Sequence, residues 1–185
     1  LFADVSGELR LLDPGAGVGS LTAAFVERIC AVATKPRSTS LVAYEIEPVL
    51  SAYLRNTLDE AIDQCRRAQI KASSELHDED FILGHAWGMQ PDIFNPGRED
   101  GGFSHVLMNP PYKKINSGSA HRTALRKAGL ETSNLYTAFM FLAAQRLRAG
   151  GEMVAIVPRS FCNGPYFKPF REQFFGMMGL RHIHI

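Results

Sequence analysis

A buried strand running straight into a glycine-rich turn, then a helix, constrains this chain more than any other feature. Leu9-Arg10-Leu11-Leu12 reads as a short strand, and Asp13-Pro14-Gly15-Ala16-Gly17-Val18-Gly19 follows as the turn. Leu21, Phe25, Ile29 and Val32 then recur at helical spacing, with Ser20 placed as the N-cap. Glycines at such a turn let the backbone approach a ligand closely and present N–H donors from the helix start.

The alternation continues along the chain. Leu41-Val42-Ala43-Tyr44 reads as a second buried strand, and Pro48 opens a helix expected to reach about Ile70. Ser73 to Asp80 reads as an acidic loop, with a brief strand at Phe81-Ile82-Leu83. Residues 84–102, rich in Gly, Pro, Asp and Asn, read as a connection. Phe103 to Asn109 reads as the fourth strand, and residues 113–132 as a polar, mobile stretch. Asn134 to Arg148 has helical periodicity and stops at Ala149-Gly150-Gly151. A fifth strand is expected over Glu152 to Val157, a helix around Phe167 to Met177, and a sixth strand from Leu180. Strands alternating with helices predict an α/β, Rossmann-like doubly wound fold: one domain, with a mostly parallel sheet and helices on both faces.

In such sheets ligands bind at the carboxyl ends of the strands. Glu45 ends the second strand, 26 residues after Gly19, where a carboxylate can take both hydroxyls of a ribose. The glycine spacing is G-x-G-x-G rather than the dinucleotide pattern G-x-G-x-x-G. Asp13 would repel a pyrophosphate and attract an ammonium group, which favours S-adenosylmethionine over NAD. At the end of the fourth strand stands Asn109-Pro110-Pro111-Tyr112. The two prolines stiffen the loop and remove two N–H donors. The Asn109 amide oxygen and the Pro110 carbonyl are acceptors beside the flat ring of Tyr112, a set that suits a planar base with an exocyclic amino group.

Net charge is +1, so no global field draws the protein onto a polyanion. A local basic segment does follow the catalytic-type loop: Lys113, Lys114, Arg122, Arg126 and Lys127, with no acidic residue from Lys113 to Leu130. Such a segment suits phosphates. Cys30, Cys65 and Cys162 form no CxxC pattern, as expected of a reduced, cytoplasmic protein. The six histidines show no metal-ligand spacing, and no metal is expected. The longest apolar run, Ala138 to Ala144, is too short to span a bilayer, and no signal peptide is evident. The chain starts at Leu1 and ends in an apolar alternating stretch, so it reads as a piece of a longer protein.

Taken in order, these segments resemble the class I S-adenosylmethionine-dependent methyltransferases. More narrowly, they resemble the adenine-N6 DNA methyltransferases of restriction–modification systems in which the cofactor motif comes first. The matching pieces are Leu11 to Gly19, Tyr44-Glu45-Ile46-Glu47-Pro48, Asp80-Phe81, Asn109 to Tyr112, Asn134-Leu135-Tyr136, and Gly150-Gly151-Glu152 with Val154 to Pro158. The resemblance implies that Asp13, Gly15 and Gly17 hold the methionine end of the cofactor and Glu45 its ribose. It implies that Ile46 packs on the cofactor's adenine and that Asp80 and Phe81 meet the adenine edge, with Asp78 and Glu79 as alternative carboxylates. Asn109 and Pro110 would accept hydrogen bonds from the target amino group, and Tyr112 would stack on the target base. The implied partner is double-stranded DNA with a flipped adenine; a restriction subunit or a fused nuclease stays open. The resemblance also implies an aromatic residue on a later hairpin and a target-recognition region, both expected beyond Ile185, and an upstream segment over the cofactor, expected to be missing or reduced to Leu1 through Glu8. Methylation of a protein glutamine amide or an RNA base, and a non-catalytic cofactor-binding module, remain as alternatives.

Overall fold

The computed structural model describes residues 2–88 and 102–184. Its strands are β1 (Glu8–Pro14), β2 (Ser38–Tyr44), β3 (Lys71–His77), β4 (Phe103–Met108) and β5 (Leu147–Ala155). Its helices are α1 (Ser20–Ala31), α2 (Pro48–Arg67), α3 (Phe81–Gly88), α4 (Ala120–Lys127), α5 (Leu135–Arg146) and α6 (Lys168–Met177). All four pairings are parallel, in the order β3-β2-β1-β4-β5. Strand order therefore reverses between β1 and β4, which places a topological switch point at their carboxyl ends.

Side chains alternate across the sheet and feed two separate cores. Leu11, Leu41, Ala43 and Leu107 pack on one face with Phe25, Val26 and Ile29 of α1 and Leu54 and Leu58 of α2. Leu12, Val42, Tyr44, Val106 and Met108 pack on the other with Phe81, Leu125, Phe139 and Leu142. β4 is buried along its whole length, as a central parallel strand should be. The predicted fold class holds.

Several boundaries differ from the sequence reading. The third strand is Lys71–His77, not Phe81-Ile82-Leu83. β3 lies at the sheet edge and is mostly exposed, so its residues carry no apolar run, and its backbone ladder to β2 defines it. Phe81 to Leu83 starts α3 instead, because Asp80 Oδ1 accepts the Leu83 N–H at 2.9 Å and the Asp80 carbonyl accepts that of Gly84. A short apolar run suits either element. α2 stops at Arg67, where Gln69 takes a positive φ of 63° and Ile70 N–H turns back to the Cys65 carbonyl.

Gly19, not Ser20, holds the N-cap position of α1, with φ +86°. The polar stretch after the Asn-Pro-Pro-Tyr loop contains α4, and Lys114 forms an antiparallel bridge with Asn134. β5 begins at Leu147, before Gly150-Gly151, and a register shift against β4 absorbs the glycines. No strand forms after α6 among the described residues; Arg181 of that segment pairs with Glu152 of β5 through its side chain instead of a backbone ladder. The connection read over residues 84–102 begins as α3, and its residues 89–101 lie outside the described residues. No described helix is long and apolar enough to cross a membrane.

The glycine turn depends on Gly19. A Cβ there would stand 2.8 Å from Leu54 Cδ1 and 2.9 Å from Thr57 Cγ2 of α2. Gly19→Ala is expected to cost about 2–4 kcal/mol, from the left-handed backbone and the overpacking together. Gly118→Ala, where a Cβ meets nothing within 4 Å, should stay within about 0.5 kcal/mol. Urea unfolding of the three proteins checks both; equal midpoints would show that the turn does not need its glycine.

Candidate active site at the switch point

The glycine turn is fastened from β2. Gly15 and Ala16 N–H groups both donate to the Tyr44 carbonyl at 2.9 Å. Gly15 and Gly17 take positive φ values of 74° and 60°, which glycine adopts without steric cost. The Glu45 carboxylate, 7% exposed, closes the loop: Oε2 accepts Gly17 N–H and Oε1 accepts Glu47 N–H, both at 2.8 Å. An ionised carboxylate has about four lone-pair sites, so two remain for outside donors.

Asp13, at the end of β1, is 1% exposed. Its Oδ2 accepts the Thr22 hydroxyl at 2.6 Å, while Oδ1 is buried without a hydrogen-bonding partner among the described residues. Burial pushes the Asp13 pKa up to about 7, against the Thr22 bond that lowers it, and the nearby Glu45 charge raises it further. A buried acceptor without a donor is costly unless a ligand supplies one. Thr22 was missed in the sequence reading; its place one turn into α1, across from a strand-end carboxylate, is the signal.

Asp80 and Phe81 sit behind this loop. Asp80 Oδ1 caps α3, and Oδ2 lies 2.8 Å from His121 Nε2 of α4. Phe81 is 2% exposed and packs on Tyr44 and Phe139 with ring centroids 5.2 Å away in each case. His77 stacks on Tyr44 at 4.3 Å. Ile46 is 64% exposed and is free to cover a ligand seated over β2. Asp78 turns to Ser51 and Arg55, and Glu79 to His77. Of the three neighbouring carboxylates, Asp80 is therefore the one built into the start of α3.

The Asn-Pro-Pro-Tyr loop leaves β4 across the switch point from the glycine turn. A Cβ on Gly15 would lie 3.2 Å from Phe139 Cε1 and 4.0 Å from Pro111 Cδ, so the two loops are in near contact. Pro110 is buried, while Asn109, Pro111 and Tyr112 are exposed. The Tyr112 hydroxyl donates to Asn109 Oδ1 at 2.6 Å and lies 3.0 Å from the Ile156 carbonyl just past β5. Its ring stands perpendicular to Tyr136, centroids 6.4 Å apart. The Asn109 amide oxygen, on an exposed residue at the end of β4, thus has a local donor in place.

The basic segment is less free than its composition suggests. Arg122 donates to the Thr132 carbonyl and, at 2.6 Å, to Glu131. Arg126 meets the same carboxylate at 3.1 Å, and its hydrogen bond holds the Glu131 carboxyl below the usual range. These two arginines fasten α4 to the segment after it. Lys113, Lys114 and Lys127 are exposed and have no ion pair among the described residues. Lys113 and Lys114 leave the Asn-Pro-Pro-Tyr loop on a backbone fixed by Leu135 N–H to the Lys113 carbonyl and Ile115 N–H to the Ser133 carbonyl. No group of three His, Cys, Asp or Glu able to hold a metal occurs among the described residues.

A protein of Listeria monocytogenes assigned to the class I S-adenosylmethionine-dependent methyltransferases shares the fold, with a TM-score of 0.60 over 89% of this chain and 44% of that one, at 13% identity. The chain is 40% identical over 182 residues to the Type II methyltransferase M.BsuBI of Bacillus subtilis, covering 98% of this chain. It is also 40% identical over 185 residues to the Type II methyltransferase M.PstI of Providencia stuartii, covering all of this chain. In both cases it spans 35% of the relative's length. The family model of the Eco57I restriction-modification methylases matches residues 25–184. The chain belongs to the Eco57I restriction-modification methylase family.

Proposed function

We propose that this chain is the catalytic part of a DNA methyltransferase of a restriction–modification system, acting in the cytoplasm on the N6 amino group of adenine. The observation that carries this reading is the juxtaposition at the switch point: an acceptor-and-ring loop, Asn109 to Tyr112, against a glycine turn with a buried, donor-seeking carboxylate. The relatives' description as Type II methyltransferases supports it.

The residues fit S-adenosylmethionine. The unpartnered Asp13 Oδ1 suits an ammonium group, with Gly15 and Gly17 leaving room for the backbone to approach it. The two spare acceptor sites of Glu45 suit a ribose diol. Ile46 would pack on the adenine, with Asp80 and Phe81 at its edge. When bound, this cofactor supplies an electrophilic methyl group on a sulfonium.

The protein's own part is positioning. The adenine amine is a poor nucleophile because its lone pair is delocalised into the ring. Accepting its two N–H bonds at Asn109 Oδ1 and the Pro110 carbonyl favours a more tetrahedral nitrogen. Pro110 and Pro111 hold these acceptors with little reorganisation. Tyr112 gives up its bond to Asn109 as the amine arrives and keeps the Ile156 carbonyl as a partner, so one hydrogen bond replaces another. Its ring then stacks on the base, which offsets part of the few kcal/mol that flipping costs. Duplex DNA is the proposed partner, with Lys113, Lys114 and Lys127 set for its phosphates; Arg122 and Arg126 would act through the shape of α4.

Three outcomes check this reading. In the full-length protein, Asn109→Ala should lower single-turnover methyl transfer to duplex DNA on the order of 10²–10³-fold. Tyr112→Ala should weaken base capture by about 1–3 kcal/mol, and Tyr112→Phe should be mild, since stacking uses the ring. Nucleoside analysis showing 5-methylcytosine, or an Asn109→Ala protein as fast as the parent, would refute the assignment.

Neutralising Lys113 and Lys114 should flatten the salt dependence of DNA binding by about one unit of slope per charge, because fewer counterions are released. An unchanged slope would leave them as solvated side chains.

Asp13 makes cofactor-free stability fall as pH rises. Its folded pKa, about 7, lies above the ordinary 3.8. Its contribution is therefore fully present below about pH 4 and lost as pH rises through about 7. Asp13→Asn should raise the melting temperature of the cofactor-free protein at pH 8 more than at pH 5, read by calorimetry. An equal shift at both pH values would place the ionisation elsewhere.

A further inference from the structure

The loop between β5 and α6 was given no role by the sequence reading, yet it is built with care. The Arg171 guanidinium of α6 donates to three of its backbone carbonyls: Phe161 at 3.1 Å, Asn163 at 3.2 Å and Gly164 at 2.9 Å. Phe161 is anchored in the core edge-on to Phe170, at 6.2 Å. Phe167 reaches Tyr136 at 6.0 Å, and Tyr136 in turn meets Tyr112. The loop is thereby tied through two rings to the Asn-Pro-Pro-Tyr loop. Just before the N-cap of α6 stands Tyr166, 62% exposed, its ring edge-on to Phe167 at 4.8 Å. Its hydroxyl bonds to Ser133 Oγ, and Ser133 lies on the backbone pair that carries Lys113 and Lys114.

Burial does not explain this ring. Its hydroxyl is satisfied by protein, its position is fixed, and most of its surface is in water. Lys113 and Lys114 lie on the segment paired with Ser133, and Arg159 lies at the loop's start; all three are exposed, and none has an ion pair among the described residues. A fixed aromatic face bonded to the segment beside two exposed lysines suits a nucleic-acid strand: the cations track phosphates and the ring takes a base. Flipping one nucleotide also unstacks its neighbour, which then has a free face.

We propose that Tyr166 is a second aromatic platform that stacks on the nucleotide next to the flipped one, on the same strand. Tyr112 captures the target, and Tyr166 holds the strand beside it. The inference rests on the DNA-methyltransferase reading.

The test uses the full-length protein with S-adenosylhomocysteine and a duplex carrying the site that the parent methylates. Tyr166→Leu removes the ring and keeps apolar bulk; Tyr166→Phe keeps the ring. Tyr166→Leu should weaken DNA binding about ten-fold, by the same factor whether the target nucleotide is intact or abasic, with an unchanged salt slope. Tyr112→Ala should lose its effect on the abasic duplex. Tyr166→Phe should bind close to the parent, and all variants should bind S-adenosylhomocysteine equally. In the parent, 5-iodouracil placed beside the target should photo-crosslink to the peptide bearing Tyr166. Parent-like DNA affinity of Tyr166→Leu, or a crosslink confined to other peptides, overturns the proposal while leaving the methyltransferase reading intact. A parent that methylates no adenine overturns both.

Discussion

Everything at this site depends on β1 lying against β4. That one parallel pairing, Leu11 with His105 and Leu12 with Val106, is where strand order reverses. Loops leaving neighbouring strands on one side of a reversal diverge to opposite faces and open a crevice between them. The glycine turn after β1 and the Asn-Pro-Pro-Tyr loop after β4 are therefore brought together although 90 residues or more separate them in sequence. Gly15 sits where they meet: a side chain there would press on Phe139 and reach ordinary contact with Pro111.

The two sides of the crevice are held in different ways. The cofactor side is fixed by backbone groups and buried carboxylates: the Tyr44 carbonyl, Glu45, and Asp13 with its Thr22 partner. It is preformed except for one acceptor, Asp13 Oδ1, that has no partner among the described residues. The other side is held by rings, by backbone bonds behind Lys113 and Lys114, and by an exchangeable bond from the Tyr112 hydroxyl to Asn109, with the Ile156 carbonyl as an alternative partner. On the proposed reading, a site that admits an amine needs its acceptor in position but not locked away, and an exposed hydroxyl donor meets both needs. α4 lies between the sides, joined to the cofactor side through His121 and Asp80 and to the lysine-bearing segment through Arg122 and Thr132.

How far the sequence discloses this follows from what each element buries. β1, β2 and β4 are apolar over most of their length because both faces are covered, and their strand-end motifs are legible for the same reason. β3 lies at the edge with polar residues, so only its ladder to β2 reveals it. The helical fate of Phe81 to Leu83 turns on one cap from Asp80, which no periodicity shows. Asn109 and Tyr112 are legible as a motif, but their mutual hydrogen bond is not, because it needs the turn of the two prolines. Nor does a basic composition distinguish Lys113 and Lys114, which have no ion pair among the described residues, from Arg122 and Arg126, which Glu131 holds. Charge partners one or more turns apart are set by tertiary placement.

The central claim is that the switch point holds a nucleoside bearing an amino-acid group, received by the ammonium-seeking Asp13, and not a dinucleotide. Titration calorimetry of the full-length protein with S-adenosylhomocysteine and with NAD, side by side, tests it most directly. The account predicts saturable binding of S-adenosylhomocysteine and none of NAD. Binding of NAD without binding of S-adenosylhomocysteine would contradict it.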